Sequence, residues 1–290
     1  MRIGVVFPQT ELGGDVGAVR AYGEAVESLG YTHILAYDHV VGADPAVYTD
    51  WTGPYNSWTT FHEPFVMFGF LAGVTSLELV TGVIILPQRQ TALVAKQAVE
   101  VDLLTGGRFR LGVGVGWNHV EYEALGKSFD DRGRRMTAQI ALLRRLFTEQ
   151  TITDEGEFET IRGAGLSPRP IQSPIPIWIG GSSAAAYKRM GRLADGWFPQ
   201  VRPGGDLDAA LEVIAESASA AGRDPATIGM EGRAAWKADD PDQVARQTAR
   251  WREAGASHLT LDTMRAGLQT VDDHIAALTT AADLIGVRPS

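Results

Sequence analysis

The sequence predicts a closed (β/α)8 barrel, an α/β fold of the TIM-barrel class. Short β-branched runs alternate with amphipathic stretches in about eight strand-then-helix units. The strands are too uniformly apolar to face water on one side. The alternation runs through 290 residues with no composition shift or long linker. Uniformly apolar strands belong to a parallel sheet covered by helices, and this length suits one barrel domain spanning 1–290. A doubly wound open sheet is the alternative.

Ile3–Phe7 is the first expected strand, and Asp15 opens a helix to Leu29. His33–Tyr37, Leu77–Leu86 and Phe109–Val115 are the next strands, with helices at Glu63–Thr75, Ala92–Leu104 and Asp131–Thr148. Strands at Ile175–Ile179, Gly196–Pro199, Ile228–Trp236 and Ser257–Leu261 follow. Ala184–Leu193, Leu207–Ala221, Asp242–Glu253 and Leu268–Leu284 supply their helices. Two segments interrupt the pattern. Val40–His62, after the second strand, is a long loop carrying Tyr48, Trp51, Tyr55 and Trp58, and such loops are usually lids or binding loops. Thr151–Gly163 alternates like a hairpin insertion, with Glu155-Gly156 near its turn.

A net charge of −9 argues against non-specific binding to nucleic acid or an anionic membrane, while leaving room for an anionic ligand on a local patch. Cysteine is absent, which removes disulfides, thiolate ligands and a cysteine nucleophile. The apolar run of "MRIGVVFPQT" breaks at Pro8, too soon for a signal peptide, and "PFVMFGFLAGV" is too short to span a membrane. A cytoplasmic protein is expected. The six histidines show no H-x-H or H-E-x-x-H pairing, so no metal is expected, and no G-x-S-x-G elbow suggests serine hydrolysis.

Residues at the C-terminal ends of barrel strands line the active site. Asp38 and His39 stand at such an end. His39 reads either as a general acid/base or hydrogen-bond donor, or as a strand-end histidine satisfied by a carbonyl. In "RLGVGVGWNHVEYEALG", Gly112, Gly114 and Gly116 recur at period two, placing all three on one strand face. There something flat can lie close, or the glycines simply relieve crowding in the barrel. Gly180, Gly181, Ser182 and Ser183 precede a helix, where free N–H groups both cap and attract anions. Arg132, Arg134 and Arg135 begin another helix, and read either as a solvated, salt-bridged face or as a source of one arginine for an anionic ligand tail.

Together these segments resemble the bacterial luciferase-like superfamily, and within it the branch of coenzyme F420-dependent oxidoreductases. The carriers are "MRIGVVFPQ", "LGYTHILAYDHV", the long run from "LVTGVIILPQRQ" through "GVGVGWNHVEYEALG", "DDRGRRM", "IPIWIGG" and "GRLADGW". The resemblance implies a luciferase-like barrel in which His39 is catalytic beside the deazaflavin's reactive carbon and Asp38 helps hold the ring. It places a non-prolyl cis peptide at Val83 and Ile84, in a bulge behind that ring. Val115, Gly116 and Trp117 would edge the ring, and Gly181, Ser182, Ser183 and Ala184 would hold the phosphate of the cofactor tail. Relatives that oxidise sugar phosphates carry glutamate where this chain has Trp117. Tryptophan cannot move a proton, so an apolar substrate pocket walled by Trp51, Tyr55, Trp58 and Trp117 is expected instead.

The first functional reading is therefore an F420-dependent oxidoreductase acting on a small-molecule organic substrate. The second is an FMN-dependent monooxygenase that uses oxygen and reduced flavin from a separate reductase. A third is a non-catalytic cofactor-binding protein, for which binding would survive His39→Ala. A metal-dependent barrel hydrolase ranks last. The resemblance also implies a homodimer, and Phe65–Phe70 offers apolar residues for it.

Overall fold

The computed structural model describes residues 1–289. The elements in chain order are β1 (Arg2–Val6), α1 (Val16–Ser28), β2 (His33–Ala36), α2 (Pro64–Leu71), β3 (Glu78–Thr81), β4 (Ile84–Ile85) and α3 (Thr91–Leu104). Then come β5 (Phe109–Gly114), α4 (His119–Ala124), α5 (Arg132–Thr148), β6 (Ile152–Glu155), β7 (Thr160–Ala164), β8 (Ile177–Gly180) and α6 (Ala184–Leu193). The series ends with β9 (Gly196–Phe198), α7 (Gly205–Ala220), β10 (Gly229–Ala235), α8 (Asp242–Glu253), β11 (His258–Asp262) and α9 (Val271–Ile285).

The main sheet closes on itself. Its order is β3-β2-β1-β11-β10-β9-β8-β5-β4, and β3 also pairs β5, so β3 and β4 share one of eight positions in the ring. All ring pairings are parallel, with Ile3 opposite Leu259, Leu35 opposite Val80, and Val113 opposite Ile179. The barrel is the expected fold. The two-stranded β6-β7 sheet is the expected hairpin insertion, with the Gly156 amide donating to the Glu159 carbonyl at 3.0 Å across its turn.

Strand alternation sorts the core into two shells. Val5, Ile34 and Leu79 face the helices, while Val6, Leu35, Val80, Trp178 and Phe198 form a separate buried cluster in the lumen. Below that cluster lies a polar layer. Arg110 donates to Glu78 (2.9 Å) and Glu231 (2.7 Å), and His33 Nε2 lies 2.9 Å from Glu231. Burial alone would raise the Glu231 carboxyl, but Arg110 and His33 overcome it and hold it well below the usual carboxylate range. This ion-paired layer fills the lower end of the barrel, and the cavities lined by His39 and by Arg233 lie at the C-terminal ends of its strands.

Several helices begin at side-chain caps. Asp15 accepts from Gly17 and Ala18, Glu63 from Val66, and Thr270 forms a capping box with Asp273. Two departures matter for the site. The expected strand Leu77–Leu86 is broken at a cis Gly82–Val83 bond, one residue before the position expected for it. Here the Thr81 hydroxyl both donates to the Gly112 carbonyl and accepts from the Gly112 amide, each at 2.8 Å. A side chain takes over rungs that a continuous strand would make with its backbone. The second departure is α4, a short helix that the expected strand and helix pattern did not include, capped by Asn118 on the Val120 amide at 3.1 Å. Among the described residues no helix is long and apolar enough to cross a membrane.

Candidate active site

The end of β2 aims its side chains alternately. Tyr37 turns into the barrel mouth, Asp38 turns away, and His39 turns back. The Asp38 carboxylate is buried behind the strand ends, where it accepts from Arg89 Nη2 at 2.9 Å and from the Ile85 amide at 3.2 Å. Arg89 also donates to Glu63 at 3.0 Å. Burial raises the Asp38 pKa, and Arg89 opposes that without cancelling it. Asp38 was expected to help hold the ring. Alternation and the Arg89 partnership turn its carboxylate away from the mouth, where it ties β4 to the end of β2.

His39 is held by a residue that the sequence reading passed over. Glu121, on α4, has a side chain only 1% exposed, and its Oε1 lies 3.0 Å from His39 Nδ1. The same oxygen accepts from the Val40 amide at 2.8 Å, and Oε2 accepts from Gln88 Nε2 at 3.3 Å. A carboxylate can only accept, so the imidazole proton is assigned to Nδ1. That leaves Nε2 as the free ring nitrogen, and His39 lines a cavity of about 340 Å3 with Val41, Tyr55, Phe61 and Asn118. The available signal was the Asn118 cap before "HVEYEA", which turns both Glu121 and Tyr122 inward.

Aromatic rings wall the imidazole. Ring centroids lie 4.6 Å away at Phe61, 5.0 Å at Tyr55 and 5.6 Å at Trp117, and Trp51 stands 5.6 Å from Trp117. Trp51 Nε1 donates to the Tyr55 carbonyl at 2.8 Å, folding the long loop back over the mouth. Trp51, Tyr55 and Trp117 therefore come together as expected, and Phe61 joins them. Trp58 does not. It is 82% exposed, because a turn in which its amide donates to Asn56 Oδ1 at 3.0 Å directs the indole outward.

Behind this wall, Val83 protrudes from the bulge across two glycines. A Cβ on Gly114 would lie 2.6 Å from Val83 Cγ2, and one on Gly180 would lie 3.1 Å from Val83 Cγ1. The glycine period thus makes room first for a neighbouring strand's valine, the crowding alternative raised by the sequence. Ile84 is fully buried in the helix-facing core, so of the Val83–Ile84 pair only Val83 presents a side chain to the lumen. The Val115 carbonyl accepts from Tyr122 Oη at 2.6 Å, and Gly116 turns the chain at φ 67° toward Trp117.

Across the mouth, β8 ends at Gly180 and Gly181 reverses the chain at φ 144° into α6. Ser183 is the N-cap, accepting from the Ala186 amide at 3.2 Å while its carbonyl accepts from Tyr187 at 3.0 Å. The amides of Ala184 and Ala185 precede those bonds, and with Ser182 they form an exposed donor cluster of the kind that takes phosphate.

Residues 1–277 match the luciferase-like monooxygenase family. An uncharacterized protein of Mycobacterium tuberculosis is 36% identical over 198 residues, covering 66% of this chain and 67% of its own. An FMNH2-dependent dimethylsulfone monooxygenase of Pseudomonas putida is 30% identical over 175 residues, covering 59% of this chain and 48% of its own. In fold, the chain resembles a coenzyme F420-dependent tetrahydromethanopterin reductase of Methanopyrus kandleri. The TM-score is 0.75 at 15% identity, over 96% of this chain and 97% of that one.

Proposed function

The chain belongs to the luciferase-like monooxygenase family, and from that premise we propose that it is a coenzyme F420-dependent oxidoreductase moving a hydride between a deazaflavin ring and an organic substrate. The observation that carries this reading is His39, fixed through Nδ1 by a buried carboxylate and lining a cavity at the barrel mouth together with Tyr55 and Phe61. The residues present fit the cofactor. Val83 would give a planar ring an apolar backing, and Gly181, Ser182, Ser183 and Ala184, at the entrance to α6, would hold a phosphate.

When bound, the deazaflavin supplies the carbon that gives or takes hydride. The protein positions, excludes water and manages the coupled proton. His39 Nε2 takes the hydroxyl proton of an alcohol or returns one to a carbonyl, and Glu121 stabilises the imidazolium that the first of these creates. Trp51, Tyr55, Phe61 and Trp117 exclude water around it. A homodimer is part of the same proposal, supported by Val66 on α2 and Leu93 on α3, which are 73% and 53% exposed.

The likeness to a sulfone monooxygenase supports a second reading, an FMN-dependent monooxygenase fed by a separate reductase. Titrating the purified chain with coenzyme F420 and with FMN, oxidised and reduced, separates the two. The first reading expects deazaflavin binding and substrate-dependent bleaching of its absorbance without oxygen. Tight FMN binding with no deazaflavin affinity replaces it with the second.

A further inference from the structure

A second cavity opens at the barrel mouth, sharing Tyr55 with the one that His39 lines, and arginines mark it out. It measures about 480 Å3, and its floor and walls include Tyr37, Gln200, Arg233, Asp262 and Met264. Three guanidinium groups line it, those of Arg202, Arg233 and Arg265, in a chain whose net charge is −9. Among the described residues no carboxylate lies within ion-pair distance of any of the three.

Arg233 is the central one. Two residues further along β10 from the buried Glu231, it points into the lumen by the same alternation, yet it is exposed there. Its guanidinium makes one hydrogen bond, from Nη1 to Tyr37 Oη at 2.9 Å. Arg265 is committed elsewhere, donating to the Pro54 carbonyl at 3.0 Å and lying 4.7 Å over the Tyr55 ring. The carboxylate facing the cavity is Asp262, which accepts from the Met264 amide at 2.9 Å and weakly from Tyr37 at 3.4 Å. Burial raises its pKa, opposed by the Met264 amide and by Arg233. Glu11 stands at the rim, where its carboxylate accepts the Arg265 amide at 2.9 Å.

Tyr55 lines both cavities, and its ring stands 5.0 Å from His39. A molecule held by its charge at Arg233 therefore extends along Tyr55 toward His39. We propose that the substrate of this site is an aromatic carboxylate, its acid group docked on the Arg233 fork and its apolar body laid along Tyr37, Tyr55 and Met264. This rests on the reading of the mouth as an oxidoreductase site. The guanidinium fork suits a carboxylate because two parallel N–H groups meet two oxygens.

The test uses the full chain without cofactor, titrated calorimetrically with benzoate and 2-naphthoate and with their uncharged amides. Acids are expected to bind at least about tenfold more tightly than the amides, with an affinity that falls as salt rises. Arg233→Met is expected to abolish that preference while leaving the affinities for coenzyme F420 and FMN within about twofold. The wild-type comparison of acid with amide needs no variant and stands whether or not Arg233→Met folds. Amides binding as tightly as acids would overturn the proposal. So would an Arg233→Met variant that loses cofactor affinity but keeps the acid preference, since the cavity would then serve the cofactor. If neither cofactor binds but the acid preference persists and depends on Arg233, the functional reading fails and the anion site remains.

Discussion

Glu121 Oε1 lies between His39 Nδ1, at 3.0 Å, and the Val40 amide, at 2.8 Å, so one buried oxygen fixes both the imidazole and the backbone that follows it. The pairing requires α4 to press against the end of β2, two elements separated by 82 residues. Replacing Glu121 with Gln keeps the shape but lets an amide donor face Nδ1, which favours the other tautomer. Turnover is expected to fall by about 10²–10³-fold, with cofactor affinity within about twofold. Nitrogen NMR of the imidazole provides the readout that a merely structural role would not move. The wild-type proton should sit on Nδ1, and the variant should show a mixture. Unchanged tautomer and turnover would remove Glu121 from the mechanism.

The bulge offers a second measurement. Val83 occupies the space over Gly114 and Gly180. Gly114→Ala should therefore destabilise the chain by about 1–3 kcal/mol, the usual range for overpacking. Combining it with Val83→Ala should recover much of that loss, because the clash lies with a valine methyl. A double-mutant cycle in urea reads the coupling directly. Additive effects would show that the glycine is there for another reason.

How much of this was legible beforehand follows from what each feature depends on. Strand and helix positions were readable because burial on both faces imposes an apolar pattern that survives without partners. The convergence of His39, Trp51, Tyr55 and Trp117 was readable because strand ends and long loops meet at a barrel mouth. The direction of the Asp38 carboxylate was not, because it depends on Arg89, 51 residues away. The outward direction of Trp58 depends on one turn hydrogen bond. Glu121 was hidden because an acidic residue in a short, mostly polar helix looks like surface until its histidine partner is placed beside it. The break at Gly82–Val83 depends on Thr81 bonding Gly112 across strands, which no local pattern records.

Far from the mouth, His258 sets a pH dependence of stability. Its ring packs edge-on against Trp178, with centroids 5.1 Å apart, and burial together with nearby Arg110 pushes its pKa from 6.5 to about 3. Between those values the unfolded chain carries the proton and the folded chain does not. The sign is therefore a loss of stability as pH falls from 6.5 toward 3, with the His258 contribution fully present above 6.5. His258→Gln should flatten this slope, so its urea midpoint should drop less than wild type between pH 7 and pH 4.5. Equal drops would place the titration elsewhere.

Asp38 and Arg89 supply the sharpest test of the claim that Asp38 positions rather than binds. Arg89→Met removes the guanidinium from a carboxylate whose side chain is 1% exposed. Losing one partner of a buried pair typically costs about 3–5 kcal/mol. Burial already lifts the Asp38 pKa above 3.8, and without Arg89 it rises further. The folded chain then binds a proton more readily than the unfolded one, so stability falls as pH rises through the folded value. The Arg89→Met deficit should accordingly be larger at pH 8 than at pH 5. Adding Asp38→Asn removes the stranded charge and should restore a large part of the stability, along with cofactor affinity if β4 regains its place against β2. A double variant that refolds fully yet still cannot hold the cofactor would show that the Asp38 charge acts on the ligand itself, and the positioning role would have to be abandoned.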